Sequence, residues 1–501
     1  MSLYRHFLIV FSIMVLAVAL RSYRISNPVA EWHSFRSADT ISVTREYLKH
    51  GIDLLRPRYH DLSDIQSGKD NLEGYRMVEF PIIPAFHAWF ISFFGLQEHL
   101  VLVERSFSIV YSIGTLVSIY ALALLLGGSV VSAVGASIFF AVLPYSVFYG
   151  RTPLPDLPAT FFSTLAVLFA VLFTKKQQLR WLFALSVSIM LAVLIKPFSV
   201  FVLPVVGIIL LRSFFKIGFS KLLLSMVLIG LSLVPLLIWR TWITGFPEGI
   251  PASDWLYNKN NIRFSGAFLY WILQDRISEL ILGVALLPVV VLGLIRKHTA
   301  SLILIVWTSS MLAYLWIFAG GNVQHDYYQI ILLPILSLLF GFGVKTLVSQ
   351  SKEFVSRWLL VPMLMLLSLS GLALSWKRVE GYFNVNRWEI VFAGEAVDRL
   401  TPSDAKVVAP YMGDTAFLFQ TNRTGWPIGF DLEEKISMGA THFVTVDFDD
   451  LYHDVAKRYT LIEKTDRYAL FDLTSPITQE EDTPVWLDDD SRSIQEDLEN
   501  R

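Results

Sequence analysis

The chain has 501 residues, 54% of them apolar and 17% charged, and a mean hydropathy of +0.53, which excludes an ordinary soluble domain and places most of it in lipid. The formal net charge is -2, and the basic residues are scattered between apolar stretches, so no continuous patch tracks phosphates and nucleic acid is excluded as a partner. With no cysteine, disulfides, thiolate metal sites and a cysteine nucleophile are excluded together, and any chemistry falls to carboxylates, histidines and fixed positive charges.

The first apolar run, 7–20, follows Arg5 and has the length of a signal peptide. It is succeeded by Arg21, Ser22, Tyr23 and Arg24 where a cleavage site would need small residues, so it reads as a retained first span. Further apolar runs of about 20 residues follow at 107–126, 131–149, 157–173, 181–195 and 198–211, then at 222–242, 277–295, 300–319, 327–347 and 358–376. The run 81–95, held between prolines and a glycine, is short for a span and suits a helix lying at the membrane surface.

Short cytoplasmic loops collect lysine and arginine, and four loops qualify. They hold Lys175, Lys176 and Arg180; Arg212, Lys216 and Lys221; Arg296 and Lys297; and Lys345, Lys352 and Arg357. The parity works only if 81–95 does not cross, giving about eleven spans with the amino terminus inside. That topology puts the long segment 23–105, the turn 151–156 and the turn 320–326 on one extracytoplasmic face.

From Lys377 the character changes. A helical pattern over 388–400 and short strand patterns at 406–409, 442–446 and 468–473 predict a small α/β domain of roughly 100 residues. The expected organisation is an all-α polytopic membrane domain over 1–376, with helices at the membrane surface in the outer loop 23–105. An α/β extracytoplasmic domain would follow over 377–478, then an acidic, disordered tail over 479–501. No internal repeat is evident, and Asn422-Arg423-Thr424 fits a glycosylation sequon too short to carry weight.

The residues with chemical potential gather in the outer segments. Asp39 follows Ser37, a natural cap for a helix running to His50 and Gly51, and a carboxylate in a first turn is held as an anion by the helix dipole. Such an aspartate can accept a proton, hold a cation, or simply start a helix well. Glu79 precedes the short helix at 81–95, where idle charge at the membrane surface is costly. Arg151 and Asp156 bracket a proline-stiffened turn, either as a site or as a self-satisfied pair at a helix end. Lys196 is an outer lysine against the positive-inside pattern, suited to an anionic lipid phosphate or to snorkelling. The sequence His325-Asp326-Tyr327-Tyr328 heads another span, where tyrosines alone would be interfacial.

Taken in order, these residues resemble the polytopic C-type glycosyltransferases: the bacterial relatives of protein O-mannosyltransferases, the lipid A aminoarabinose transferases and the galacturonosyltransferase-like membrane proteins. The resemblance rests on Asp39 with Gly51 and Pro57, Glu79-Phe80-Pro81, Arg105, the Arg151 to Asp156 turn, Lys196-Pro197 and His325 to Tyr328, covering about 31–328. Two positions depart from the aminoarabinose enzymes: Thr40 follows Asp39 where those have a second acid, and Phe80 stands where those have a lysine.

The resemblance implies transfer of a sugar from a polyprenyl-phosphate donor to a lipid, glycan or protein acceptor at the outer face of a bacterial plasma membrane. It implies Asp39 as the base that takes the acceptor proton, with Glu31 as the alternative, and Arg151 and Lys196 as binders of the departing phosphate. Glu79, Asp156, His325, Asp326 and Tyr328 would position the substrates. An oxygen and imidazole set is also compatible with a divalent metal, and ligation stays open. The alternatives are a transporter or lipid flippase, which calls for charge at mid-membrane and repeated halves, or a scaffold presenting the outer domain.

Overall fold

The computed structural model describes residues 3–127, 129–350 and 357–477; the acidic tail expected at 479–501 lies outside them. The chain divides into two compact units, Met1–Arg58 with Gln66–Lys69 and Tyr75–Val385, and Tyr59–Ile65 with Asp70–Gly74 and Asn386–Arg501.

The first unit is helical. Within the described residues, 6 helical stretches are long and apolar enough to cross a membrane: Leu3–Arg21, Gln97–Gly127, Asp156–Lys176, Phe219–Gly245, Asp326–Ser349 and Trp358–Phe383. Shorter apolar helices include Val130–Val142, Leu179–Ile195, Pro197–Arg212 and Ser301–Ile317. In chain order the first elements are α1 (Leu3–Arg21), α2 (Ser34–His50), α3 (Ile82–Phe94), α4 (Leu100–Gly127), α5 (Val130–Val142), α6 (Pro144–Tyr149), α7 (Asp156–Lys176) and α8 (Leu179–Ile195).

At 1.5 Å per residue α3 is about 20 Å long, too short for a hydrocarbon core of about 30 Å. Gly95 ends it with φ 67, and Phe86, Trp89, Phe93 and Phe94 stay exposed along it.

The run expected as one helix over 131–149 is broken, because Pro144 cannot donate to the turn before it and α5 stops at Val142. Arg21 occupies the break. It is fully buried and donates to the carbonyls of Phe140 (3.2 Å) and Ala141 (3.0 Å) and to the hydroxyls of Ser112 and Ser146 (2.8 Å each). A cation set against the last carbonyls of a helix is favourable on both hydrogen-bonding and dipole grounds. The run expected at 277–295 departs in a different way. Tyr270–Ile281 is wound as a π-helix, and a regular helix resumes only at Leu287–Ile295.

The second unit holds a five-stranded sheet of order β2-β1-β3-β5-β4, with β1 (Lys406–Val408), β2 (Thr424–Trp426), β3 (His442–Thr445), β4 (Tyr459–Lys464) and β5 (Ala469–Pro476). β1 pairs in parallel with β2 and β3, and β5 runs antiparallel to β3 and β4. Every residue of β3 is buried, as a central strand covered on both faces requires. The segment Tyr59–Ile65 lies along β2: Gly425 N–H donates to the His60 carbonyl (2.9 Å), and Leu62 N–H donates to the Gly425 carbonyl (2.8 Å). The helix Glu389–Leu400 belongs to this unit, and its apolar positions Ile390, Val391, Ala393, Ala396 and Val397 are buried.

Candidate active site

The site lies in the first unit, where α2 and the loop ahead of α3 meet the ends of several long helices. α2 begins at Ser34, preceded by His33 in a left-handed conformation (φ 54), and no side chain caps it. The expectation that Ser37 caps this helix is therefore corrected. Asp39 sits in the second turn, where the dipole has little hold on it, and its negative charge is met instead by the Arg76 guanidinium at 2.9 Å. Asp39 is 1% exposed.

Glu79 accepts from Arg36 of α2 and from Lys196 Nζ (3.3 Å), and Lys196 Nζ also lies 3.2 Å from Asp156. Lys196 ends α8 where Pro197 stops the helix, and its ammonium stands over the ring of Tyr328 at 5.5 Å. Burial alone would raise the Glu79 pKa; Arg36, Lys196 and Arg76 together outweigh it and hold the carboxyl down at about 2. The same pairing drives the Arg36 guanidinium upward against its own burial.

Two cavities share this polar wall. A cavity of ≈ 510 Å³ is bounded by Arg36, Asp39, Arg76, Glu79, Lys196, His325, Tyr327 and Tyr328 on its polar side, and by Phe198, Val200, Leu236, Trp255 and Phe318 on its apolar side. A smaller one of ≈ 60 Å³ lies on Arg36, Asp39, Arg76 and Glu79 as well, closed by residues of α3, α4 and the proline turn 153–158. His325 is partly buried in the larger cavity's wall. Its burial, with Arg36, Lys196 and His33 nearby and Asp326 opposing them, lowers its pKa to about 4, so the ring is neutral at ordinary pH.

The candidates named from sequence thus fall into three places. Asp39, Glu79, Lys196, His325 and Tyr328 line one cavity, and Asp156 reaches it through Lys196. Glu31 and Arg151 are joined to each other instead. Arg151 donates to Glu31 at 2.7 Å, Arg105 donates to the other oxygen at 3.0 Å, and Asn27 adds a bond at 2.8 Å. Arg151 is 0% exposed and lies under the Phe383 ring at 4.9 Å, and neither it nor Glu31 lines either cavity.

Asp326 is a hub behind the wall. Tyr149 and Tyr382 donate their hydroxyls to it, Trp32 Nε1 donates at 3.2 Å, and His33 Nε2 lies at 2.9 Å. His325 and Tyr328 line the larger cavity and Asp326 does not. Among the described residues no three His, Asp or Glu side chains come together as a metal site. The carboxylates that a metal would need, Asp39, Glu79 and Asp156, are each committed to an arginine or lysine.

Three cavity residues were not singled out in the sequence. Arg36 precedes Asp39 by one helical turn and so shares its face, and Arg76 stands three residues before Glu79. Arg240, near the C-terminal end of the stretch Phe219–Gly245, lines the larger cavity and is exposed, with no ion pair found for it among the described residues. The departure from the positive-inside pattern that marked Lys196 applied equally to Arg240.

Residues 81–239 match the family of dolichyl-phosphate-mannose-protein mannosyltransferases. The fold is similar to that of ArnT from Cupriavidus metallidurans bound to undecaprenyl phosphate, with a TM-score of 0.63 and 12% identity over 92% of this chain and 97% of that one. It is also similar to the Archaeoglobus fulgidus oligosaccharyltransferase in its apo form (TM-score 0.54, 12% identity, 97% of this chain and 76% of that one). A third similar structure is the mycobacterial arabinofuranosyltransferase AftD (TM-score 0.52, 13% identity, 94% of this chain and 42% of that one). No curated protein sequence matches the chain. The named structures are C-type glycosyltransferases, and this chain has their fold, which does not favour the transporter expected as the alternative.

Proposed function

We propose that this protein is a membrane glycosyltransferase that moves a sugar from a polyprenyl-phosphate carrier to an acceptor hydroxyl at the extracytoplasmic surface. The observation that carries the reading is the larger cavity: a buried carboxylate, Asp39, stands in a wall of paired charges opposite an apolar side suited to a prenyl chain, with Arg240 at its edge left without a carboxylate. The six long apolar stretches, four of the shorter helices and the segment formed by Tyr270–Ile281 with Leu287–Ile295 are compatible with the eleven crossings and inside amino terminus of this reading, with the second unit outside.

In this reaction the acceptor oxygen attacks the anomeric carbon, the bond from that carbon to the phosphate oxygen breaks, and its electron pair leaves with the lipid phosphate. Asp39, oriented by Arg76, takes the acceptor proton. Lys196 and Arg240 stabilise the charge that develops on the departing phosphate. Glu79 fixes Arg36 and Lys196, and neutral His325 with Tyr328 shapes the sugar pocket. Arg151 and Glu31, expected from the resemblance to bind phosphate and to rival Asp39 as base, serve here as an internal tie.

The test supplies purified protein in lipid with undecaprenyl-phosphate-linked hexoses and pentoses carrying a radiolabel, and a membrane extract as acceptor. The expected result is label in a product with the native chain and none with Asp39→Asn at native melting temperature. Equal labelling by a folded Asp39→Asn would remove Asp39 as the base.

A further inference from the structure

The smaller cavity ends on a polar group that the transfer step leaves unused. His87 of α3, with Glu104 and Tyr111 of α4, is buried, at 3%, 2% and 9% exposure. His87 Nδ1 lies 2.8 Å from Glu104 Oε2, and its Nε2 lies 3.2 Å from the Tyr111 hydroxyl. Thr44 of α2 donates to the remaining Glu104 oxygen. A carboxylate can only accept, so Nδ1 carries the proton and Nε2 is left to accept from Tyr111 O–H. Burying a carboxylate and an imidazole is costly, and a hydrophobic contact would join α3 to α4 without that cost.

The cavity connects this group to Asp39. Both line it, and its ≈ 60 Å³ has room for two or more waters, each needing at least about 10–15 Å³ and polar partners. The charged groups facing the cavity are Arg36 and Asp39 from α2, Arg76 and Glu79 from the loop, and Glu104 from α4; the proline turn contributes none.

We propose that Tyr111, His87 and Glu104 form a relay that takes the reaction's proton from Asp39. The inference rests on the transfer reading above. That transfer converts a phosphodiester with one charge into a phosphomonoester that approaches two, so each turnover releases one proton. Asp39, buried in the site, is left holding that proton. A cavity water takes it from Asp39 and passes a proton to the Tyr111 oxygen, which gives its own to His87 Nε2. The imidazolium formed is held by Glu104. Once the products have left, the proton returns through the same water to the medium, and Asp39 is again ionised for the next acceptor.

The experiment uses the full chain in lipid, with the donor panel and acceptor extract above. It compares native protein with Tyr111→Phe, which keeps the ring in place, and with His87→Gln. The relay predicts that Tyr111→Phe lowers kcat by roughly a hundredfold, the lower end of general acid–base contributions, with donor KM unchanged. It also predicts a solvent deuterium isotope effect above that of the native chain and partial rescue of His87→Gln by added imidazole. A merely structural role would move neither isotope effect nor rescue. Folded Tyr111→Phe and His87→Gln chains with native kcat and native isotope effect would overturn the relay and leave the transfer reading standing. A native chain that moves no label from any donor would overturn both.

Discussion

Glu31 and Glu79 are each gripped by two cations, yet they sit in opposite kinds of surroundings. Glu31 is closed between Arg105 and Arg151, with both oxygens occupied and neither of the two cavities reaching it. Glu79 is held by Arg36 and Lys196 in a wall that two cavities reach. Charge pairing inside a membrane protein is therefore no mark of chemistry by itself. What separates a tie from a site is whether a substrate or water can reach the pair, and whether a charge on the same cavity remains uncommitted, as Arg240 does among the described residues.

The contrast yields its largest effect when Glu31 is neutralised. Glu31→Gln leaves two buried arginines facing one neutral amide, and breaking such a pair costs about 3–5 kcal/mol. The melting temperature in lipid should fall steeply while transfer per folded molecule stays within about threefold of native. A loss of transfer without a loss of stability would make Glu31 part of the chemistry and dissolve the distinction. Glu79→Gln should do the reverse. Both cavities reach Glu79 and Lys196 keeps Asp156 as a partner, so melting should change less, while kcat should fall by about a hundredfold as the lysine proposed to face the phosphate loses one anchor. Arg240→Ala comes next. If Arg240 meets the donor phosphate as proposed, its removal should weaken donor binding by about tenfold to a hundredfold, roughly 1.5–3 kcal/mol, and donor titration should show this as raised KM. Arg240→Lys should recover part of the loss.

The sequence carried much of the fold and part of this contrast. Long apolar runs announced a helical membrane protein, and the change of composition after Lys377 announced a small sheet-bearing part; the three-residue β2 carried too little pattern to be seen, and β4, which follows directly on the helix Asp450–Arg458, was not separated from it. Asp39, Glu79, Lys196, His325 and Tyr328 were picked out by type and by resemblance to a family pattern. Their placement around one cavity is a property of the fold, and their roles rest on the experiments above. The tie between Glu31 and Arg151 joins residues 120 positions apart, and no local spacing encodes it. Asp39 was misread as a first-turn carboxylate because Ser37 looked like a cap, whereas His33 turns the chain into α2 one turn earlier. The break at Pro144 was legible in principle, since proline within an apolar run interrupts it; the burial of Arg21 in that break was not.

The smallest expected effect concerns His325, which belongs to the cavity wall and lies next to Asp326 of the buried hub. Its pKa is lowered from 6.5 to about 4, so the folded chain binds fewer protons than the unfolded chain between those values. Linkage then gives stability that is fully present above about pH 6.5 and is lost as the pH falls toward about 4. Between about pH 6.5 and about pH 5 the loss assigned to this one ring is about 1–2 kcal/mol. Thermal unfolding across that window should show the decline in the native chain and a flatter profile in His325→Asn. Glu79 should not contribute there, because its carboxyl is already ionised in both states and its own window lies lower, between the ordinary carboxylate range and about 2. A His325→Asn chain with an unchanged acid slope would mean that the ring is wet enough to titrate normally, and the cavity would then be open to bulk water at this wall.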